Sequence, residues 1–255
     1  MPRRRTCPRS QNHAMNATIT WFGHATFRLV LQDDRVIFID PWLSGNPACP
    51  DALKQPARCD MIFLTHGHED HVGDVPSLVE KFDPLVVGNF DLCAVLEKRI
   101  GRGRYSGMNT GGTQTVDGVR VSLTQAFHSS GVDSPSGPLY AGMPNGVVVA
   151  VEGLPTLYHA GDTDVFSDMK LIARLFEPRI CILPIGDHFT MGALGAALAA
   201  EMLQPSTILP CHYKTFPLLA QSADAFRTAL SSDLKERLVV PEVGQELAWT
   251  VSRPD

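Results

Sequence analysis

The sequence predicts an α/β fold in which two β-sheets pack together with helices outside. Two observations carry this. Short apolar runs suited to buried strands mix with helical patterns in both halves of the chain. The strand ends repeatedly deliver a histidine or an aspartate, at positions 66, 128, 162, 188 and 212. No linker divides the pattern, so a single domain is expected over residues 15–255.

Composition sets the outer bounds. A chain of 255 residues, 44% apolar and 19% charged, can bury one large core. The net charge of -5 argues against a general nucleic-acid surface, which is normally basic. No apolar run approaches the ~18 residues of a membrane span. The six cysteines include no Cys-x-x-Cys pair, so they read as reduced thiols of a cytoplasmic protein. Residues 1–14 hold Arg3, Arg4, Arg5, Arg9 and His13 before any strand pattern, and Met15 stands just ahead of the first strand. That segment reads as a disordered tail or an over-extended start.

Taken in order, Thr18 to Phe22 is a strand, broken at Gly23-His24-Ala25 and resumed from Thr26 to Val30. Val36 to Ile39 is the next strand and ends on Asp40-Pro41, where a carboxylate can support the following loop from behind. Residues 44–58 form a loop. Met61 to Leu64 is a buried strand. Asp74 is expected to cap a helix over Val75 to Phe82, with Pro76 in its first turn. Leu85 to Gly88 is a strand, and Leu92 to Ile100 a helix ended by Gly101. Asp117-Gly118 joins two strands as a hairpin, the second ending at His128. A strand pair around Glu152-Gly153 ends at His159 to Thr163. Asp164 is expected to cap a helix running to Phe176. Ile180 to Pro184, a helix over Ala193 to Leu203, Ser206 to Leu209, a last helix over Ala223 to Leu230, and a strand near Leu247 complete the chain.

The most informative stretch is Thr65-His66-Gly67-His68-Glu69-Asp70-His71. Four of its residues have the spacing His-x-His-x-Asp-His and follow a buried strand. Positions two apart do not share a helix face, so a turn at Gly67 is expected to let His66 and His68 converge. Asp70 and His71 can then serve a second ion. His128, Asp162 and His212 join the candidates because each also follows an apolar strand. Seven ligands exceed one tetrahedral ion but suit two divalent ions sharing a carboxylate.

This pattern resembles the metallo-β-lactamase superfamily, whose five motifs correspond to Asp40; His66-x-His68-x-Asp70-His71; His128; Asp162; and His212. The stretches beginning at Gly23, Tyr158, His188 and His212 resemble its uncharacterised metal-dependent hydrolase branch, related to the ascorbate-6-phosphate lactonases. The resemblance implies a four-layer αββα sandwich with the site at one edge. It implies that His66, His68 and His128 hold one ion, Asp70, His71 and His212 the other, and that Asp162 bridges them. Asp187 stands where the branch is expected to carry glycine.

The function expected is a binuclear hydrolase that uses a metal-bridging hydroxide on an ester, lactone or phosphodiester bond of a small molecule. Zinc is the first choice of metal, with manganese, iron or nickel as alternatives. Asp70 and His188 are the candidates for proton transfer, and His188 also for substrate contact. His24 and His159 are candidates to support ligands or touch substrate, and Lys214 to meet an anionic group. A homo-oligomer is compatible with the sequence. The rival readings are a non-catalytic metal-dependent sensor and a nuclease or phosphodiesterase, the nuclease weakened by the acidic charge.

Overall fold

Parallel strands whose carboxyl ends face one edge set the architecture. A computed structural model describes residues 17–250, so the segment 1–14 lies outside the described residues. The strands are β1 (Thr18–Trp21), β2 (Phe27–Val30), β3 (Val36–Ile39), β4 (Met61–Phe63), β5 (Leu85–Asn89), β6 (Arg104–Met108), β7 (Thr113–Val116), β8 (Val119–Gln125), β9 (Gly131–Val132), β10 (Leu139–Tyr140), β11 (Asn145–Val151), β12 (Leu157–His159), β13 (Ile180–Pro184), β14 (Thr207–Cys211) and β15 (Glu246–Ala248). The helices are α1 (Glu69–Val72), α2 (Val75–Phe82), α3 (Phe90–Ile100), α4 (Met169–Phe176), α5 (Ala193–Leu203), α6 (Asp224–Ala229) and α7 (Ser232–Glu236). One sheet runs β15-β1-β2-β3-β4-β5-β6, and the other β14-β13-β12-β11-β8-β7. β9 and β10 form a separate two-stranded flap.

Side-chain alternation along the strands explains the layering. Ile37 and Ile39 of β3 and Met61 and Phe63 of β4 enter a core shared with Val121, Val147 and Ile180 of the other sheet. Their neighbours Phe38 and Ile62 enter a second core with Val75, Leu78 and Val79 of α2 and Leu92 of α3. Successive residues of a strand point to opposite faces, so strands apolar throughout serve two layers at once. Ile172 of α4 and Ala196 and Ala200 of α5 pack with the second sheet in the shared core. The result is the αββα sandwich the resemblance implies.

β3 through β6 are mutually parallel, as are β12, β13 and β14. β8 and β12 are both antiparallel to β11, so β8 runs the same way as β12. The loops after β3, β4, β8, β12 and β14 carry Asp40, residues 66–71, His128, Asp162 and His212.

Several local expectations are corrected. Gly23-His24-Ala25 does not pause one strand; it reverses the chain, and β1 pairs antiparallel with β2, Trp21 opposite Phe27. Asp74 does not cap α2 through its side chain. Its carboxylate accepts from Leu43 N at 2.5 Å and Ser44 N at 2.9 Å, tying down the turn after Asp40. The helix placed after Asp164 starts later, at Met169, with Asp168 at its amino end. The helix over 224–229 is followed by another, α7.

Candidate metal centre

The site is built on β4. Beyond Phe63 the chain turns through His66 and His68, and α1 then begins, placing Asp70 and His71 within one helical turn. Gly67 is needed for close approach rather than for an unusual turn. A Cβ there would lie 3.0 Å from Val132 Cγ2 and 3.1 Å from Ala141 Cβ, so a larger residue would press on the flap that settles on this loop.

The seven side chains named as candidates converge. Asp162 Oδ2 lies 2.9 Å from His212 Nε2, 3.4 Å from His71 Nε2, 3.6 Å from His128 Nε2 and 3.9 Å from His66 Nε2. His66, His68 and His128 form one cluster whose donor atoms lie within 4.8 Å of one another. His24, Asp70, His71 and His212 form a second on the same criterion. His66 and His71 are fully buried, and Asp162 and His212 nearly so.

Hydrogen bonds behind the rings aim them. Asp40 Oδ1 accepts from Thr65 N at 2.8 Å, and Oδ2 accepts from the Thr65 hydroxyl at 2.6 Å and from His71 Nδ1 at 2.7 Å. The Thr65 hydroxyl gives its proton to Asp40, so its oxygen accepts from His66 Nδ1 at 3.0 Å. Both imidazoles thereby carry a proton on the rear nitrogen and turn Nε2 to the centre, where a cation would displace any second proton. Asp40 thus takes the supporting place expected for it. Thr65 and Ser129, whose hydroxyl lies 3.3 Å from His68 Nε2, were not singled out from sequence. The only available signal was their position beside the histidines.

Burial sets the charge states first. It holds the His66 imidazole well below the ordinary histidine range, with His71 adding to the effect and Asp162 opposing it. Burial also lowers His68 and His128. Burial and then His212 bring His24 down to about 4, against the pull of Asp70. For His71 burial is outweighed by Asp162, Asp40 and Asp70 together, which raise it well above the ordinary range. For Asp162 burial is likewise outweighed, here by His212 and His71, and the carboxylate stays well below its usual range.

Three buried atoms of the candidate ligands, His71 Nε2, Asp162 Oδ1 and His212 Nδ1, have no hydrogen-bond partner. Leaving such groups unpaired costs about 1–3 kcal/mol each. Imidazole nitrogens and carboxylate oxygens turned inward, with the rear nitrogens of His66 and His71 tied to Thr65 and Asp40, are the donor set of divalent cations, so the residues fit the metals the sequence implies.

The remaining candidates lie elsewhere. His188 is exposed on the loop after β13 and is outside both clusters. That loop is tied to Thr163 through the Met191 amide at 3.0 Å, so it borders the Asp162 turn. Asp187 is exposed with φ 73, a left-handed conformation that explains why glycine suits this position. Lys214 lines a different cavity, of about 360 Å³, beside Trp21 and Tyr213. His159 is fully buried. Its Nε2 donates to Ala25 O and its Nδ1 accepts from Gly161 N, each at 3.0 Å. It therefore shapes the turn into Asp162 and cannot touch substrate.

The description of the β-lactamase superfamily domain matches residues 35–213, which include the seven candidate ligands His66, His68, Asp70, His71, His128, Asp162 and His212 but not His24. The chain belongs to this superfamily. Among its relatives in that superfamily is a UPF0173 metal-dependent hydrolase of Methylocella silvestris, 48% identical over 233 residues, covering 91% of this chain and 99% of the relative. Another, from Koribacter versatilis, is 48% identical over 201 residues, covering 79% of this chain and 86% of the relative. The solved structure of Igni18, a metallo hydrolase from Ignicoccus hospitalis, matches with a TM-score of 0.80 at 31% identity, covering 91% and 98% of the two chains. The superfamily fold and the relatives together make this chain a metal-dependent hydrolase. Among the described residues no helix is long and apolar enough to cross a membrane.

Proposed function

We propose that the chain is a two-metal hydrolase acting on an uncharged ester or lactone that carries an apolar group. His66, His68 and His128 hold one cation, Asp70, His71 and His212 the other, and Asp162 bridges them. The observation that carries this reading is the convergence of four imidazole Nε2 atoms within 3.9 Å of Asp162 Oδ2. Two divalent cations so held supply an acidified water at neutral pH and an electrostatic partner for the charge that develops on the attacked group. Zinc is the first choice, with manganese, iron and nickel open to an imidazole-rich site.

The chain's own residues do the rest. Asp40 and Thr65 hold His66 and His71 in their ligating tautomers. Asp70, with 29% of its side chain exposed, is the acidic group of the cluster open to solvent, and we assign it proton transfer. His188, on the neighbouring loop, is assigned contact with the substrate or its leaving group. A cavity of about 500 Å³ opens directly on His68 and His128 and is walled by Leu139, Tyr140, Met143 and Pro144. No lysine or arginine is among the described residues that line it. A phosphodiester would enter without a cationic side chain to meet it, whereas an apolar acyl or aryl group finds a matching wall. The five described cysteines are free and buried, which supports placing the protein in the cytoplasm.

The test is metal analysis of the native protein, followed by a screen with that metal. Two cations per chain and turnover of aryl esters or acyl lactones ahead of bis-p-nitrophenyl phosphate are expected. Full metal content and activity in both His66→Ala and Asp162→Ala would overturn the assignment.

A further inference from the structure

One fully buried imidazole at the centre has no role in the reading above. His24 Nε2 lies 2.9 Å from Asp70 Oδ2, and its ring centroid is 4.0 Å from that of His212. His24, Asp70, His71 and His212 each bring one donor atom within 4.8 Å of the others. The ring is held there by its backbone. His24 has φ 53, a left-handed conformation disfavoured for histidine. Its carbonyl oxygen accepts from Trp21 Nε1 and from His212 N, both at 2.9 Å, so the strained turn is tied to the His212 loop.

The opposite side of the ring accommodates the tautomer that a ligand requires. The Thr215 hydroxyl donates to Tyr213 O at 3.2 Å, and its oxygen, 3.0 Å from His24 Nδ1, is free to accept a proton held there. With the proton on Nδ1, Nε2 offers a lone pair. A lone pair facing a carboxylate oxygen at 2.9 Å is repulsive unless a cation draws both.

We propose that His24 Nε2 is a direct ligand of the second cation, alongside Asp70, His71, His212 and the bridging Asp162. The inference rests on the two-metal reading and adds to it. The first position then has four protein donors, His66, His68, His128 and Asp162, and the second has five. Five donors exceed a tetrahedral shell, so the second position favours a metal that accepts higher coordination, such as manganese, iron or nickel, over zinc.

Two measurements test this on the full chain. Long-range proton–nitrogen correlation spectra of the zinc-loaded protein are expected to show His24 protonated on Nδ1 and metal-shifted at Nε2. Calorimetric titration of His24→Gln with manganese and zinc is expected to show second-cation affinity reduced tenfold or more. The first cation's unchanged affinity serves as the control for folding. Glutamine keeps an amide donor for Asp70, so it would rescue a residue that merely positions that carboxylate. Two cations bound with His24 protonated on Nε2, or His24→Gln within threefold of wild type, overturns the inference alone. A wild-type chain that takes up a single cation overturns the two-metal reading and this inference with it.

Discussion

Asp40 Oδ2 accepts from His71 Nδ1 at 2.7 Å, and neither side chain has any exposed surface. The same oxygen receives the Thr65 hydroxyl, which in turn fixes His66. One carboxylate therefore orients an imidazole in each of the two clusters. In Asp40→Asn one acceptor is replaced by a donor, and either Thr65 or His71 loses its partner. Partners of metal-bound histidines are worth ~10–100-fold in affinity. Asp40→Asn is expected to bind metal at least tenfold more weakly and to lose about 1–3 kcal/mol of stability. Calorimetric titration and urea unfolding check both, and an unchanged affinity would remove Asp40 from the site.

Removing the metals should loosen the protein without unfolding it. The two cores are built from the sheets and helices and do not run through the site. Binding to the folded state alone contributes about 2.7 kcal/mol per ion at a hundredfold excess over Kd. For a chain of this size each kcal/mol moves Tm by roughly 2–4 °C. Chelation is expected to lower Tm by about 10–20 °C when both ions are lost, with far-ultraviolet circular dichroism retained. Calorimetry in the presence and absence of chelator decides it, and an unmoved Tm would contradict a loaded centre.

How much of this was legible in the sequence depended on where each signal sat. Buried parallel strands announce themselves as apolar runs, so Met61 to Phe63 and Ile180 to Pro184 stood out, as did the histidines and aspartates at their ends. The Asp117-Gly118 hairpin was equally plain, because both residues adopt positive φ there. β6 and the β9–β10 flap were not legible, since their residues are few and largely polar or isolated. Asp74 and Asp164 misled for one reason: a carboxylate near a helix start reads as a cap, yet each satisfies other backbone amides. The place of His24 was hidden because its partners, Asp70 and Thr215, lie 46 and 191 residues away.

The flap gives the substrate reading a direct handle. Tyr140 is 69% exposed and Met143 55%, so neither holds the fold together, yet both wall the cavity over His68 and His128. Partial burial of either side chain by substrate is worth about 1–2 kcal/mol. Tyr140→Ala and Met143→Ala are each expected to raise KM for an aryl ester roughly 5–30-fold, leaving kcat within about twofold and Tm unchanged. Steady-state kinetics over a series of lengthening acyl chains provides the check. A KM that ignores both substitutions would place the apolar group elsewhere.

At Gly161 the backbone beside Asp162 packs closely against Asn145 and Thr65. This glycine has φ 66 and lies between His159 and Asp162. A Cβ there would stand 2.5 Å from Asn145 O and 3.0 Å from Thr65 Cβ. The first contact is with backbone and cannot be relieved by a side-chain rotation. The second is with the residue that aims His66. Gly161→Ala therefore has to move the turn, and with it Asp162, away from the histidines. A substitution that combines a positive φ with a backbone clash is expected to cost about 2–4 kcal/mol. It is also expected to weaken both cations, because the carboxylate they share is displaced. Gly153→Ala supplies the comparison: its φ of 79 brings the same conformational strain, but nothing lies within 4 Å of the added atom. Stability should fall in both variants, and metal affinity only in Gly161→Ala. Equal affinities in the two, measured by titration, would mean that Asp162 is not held in place by this turn.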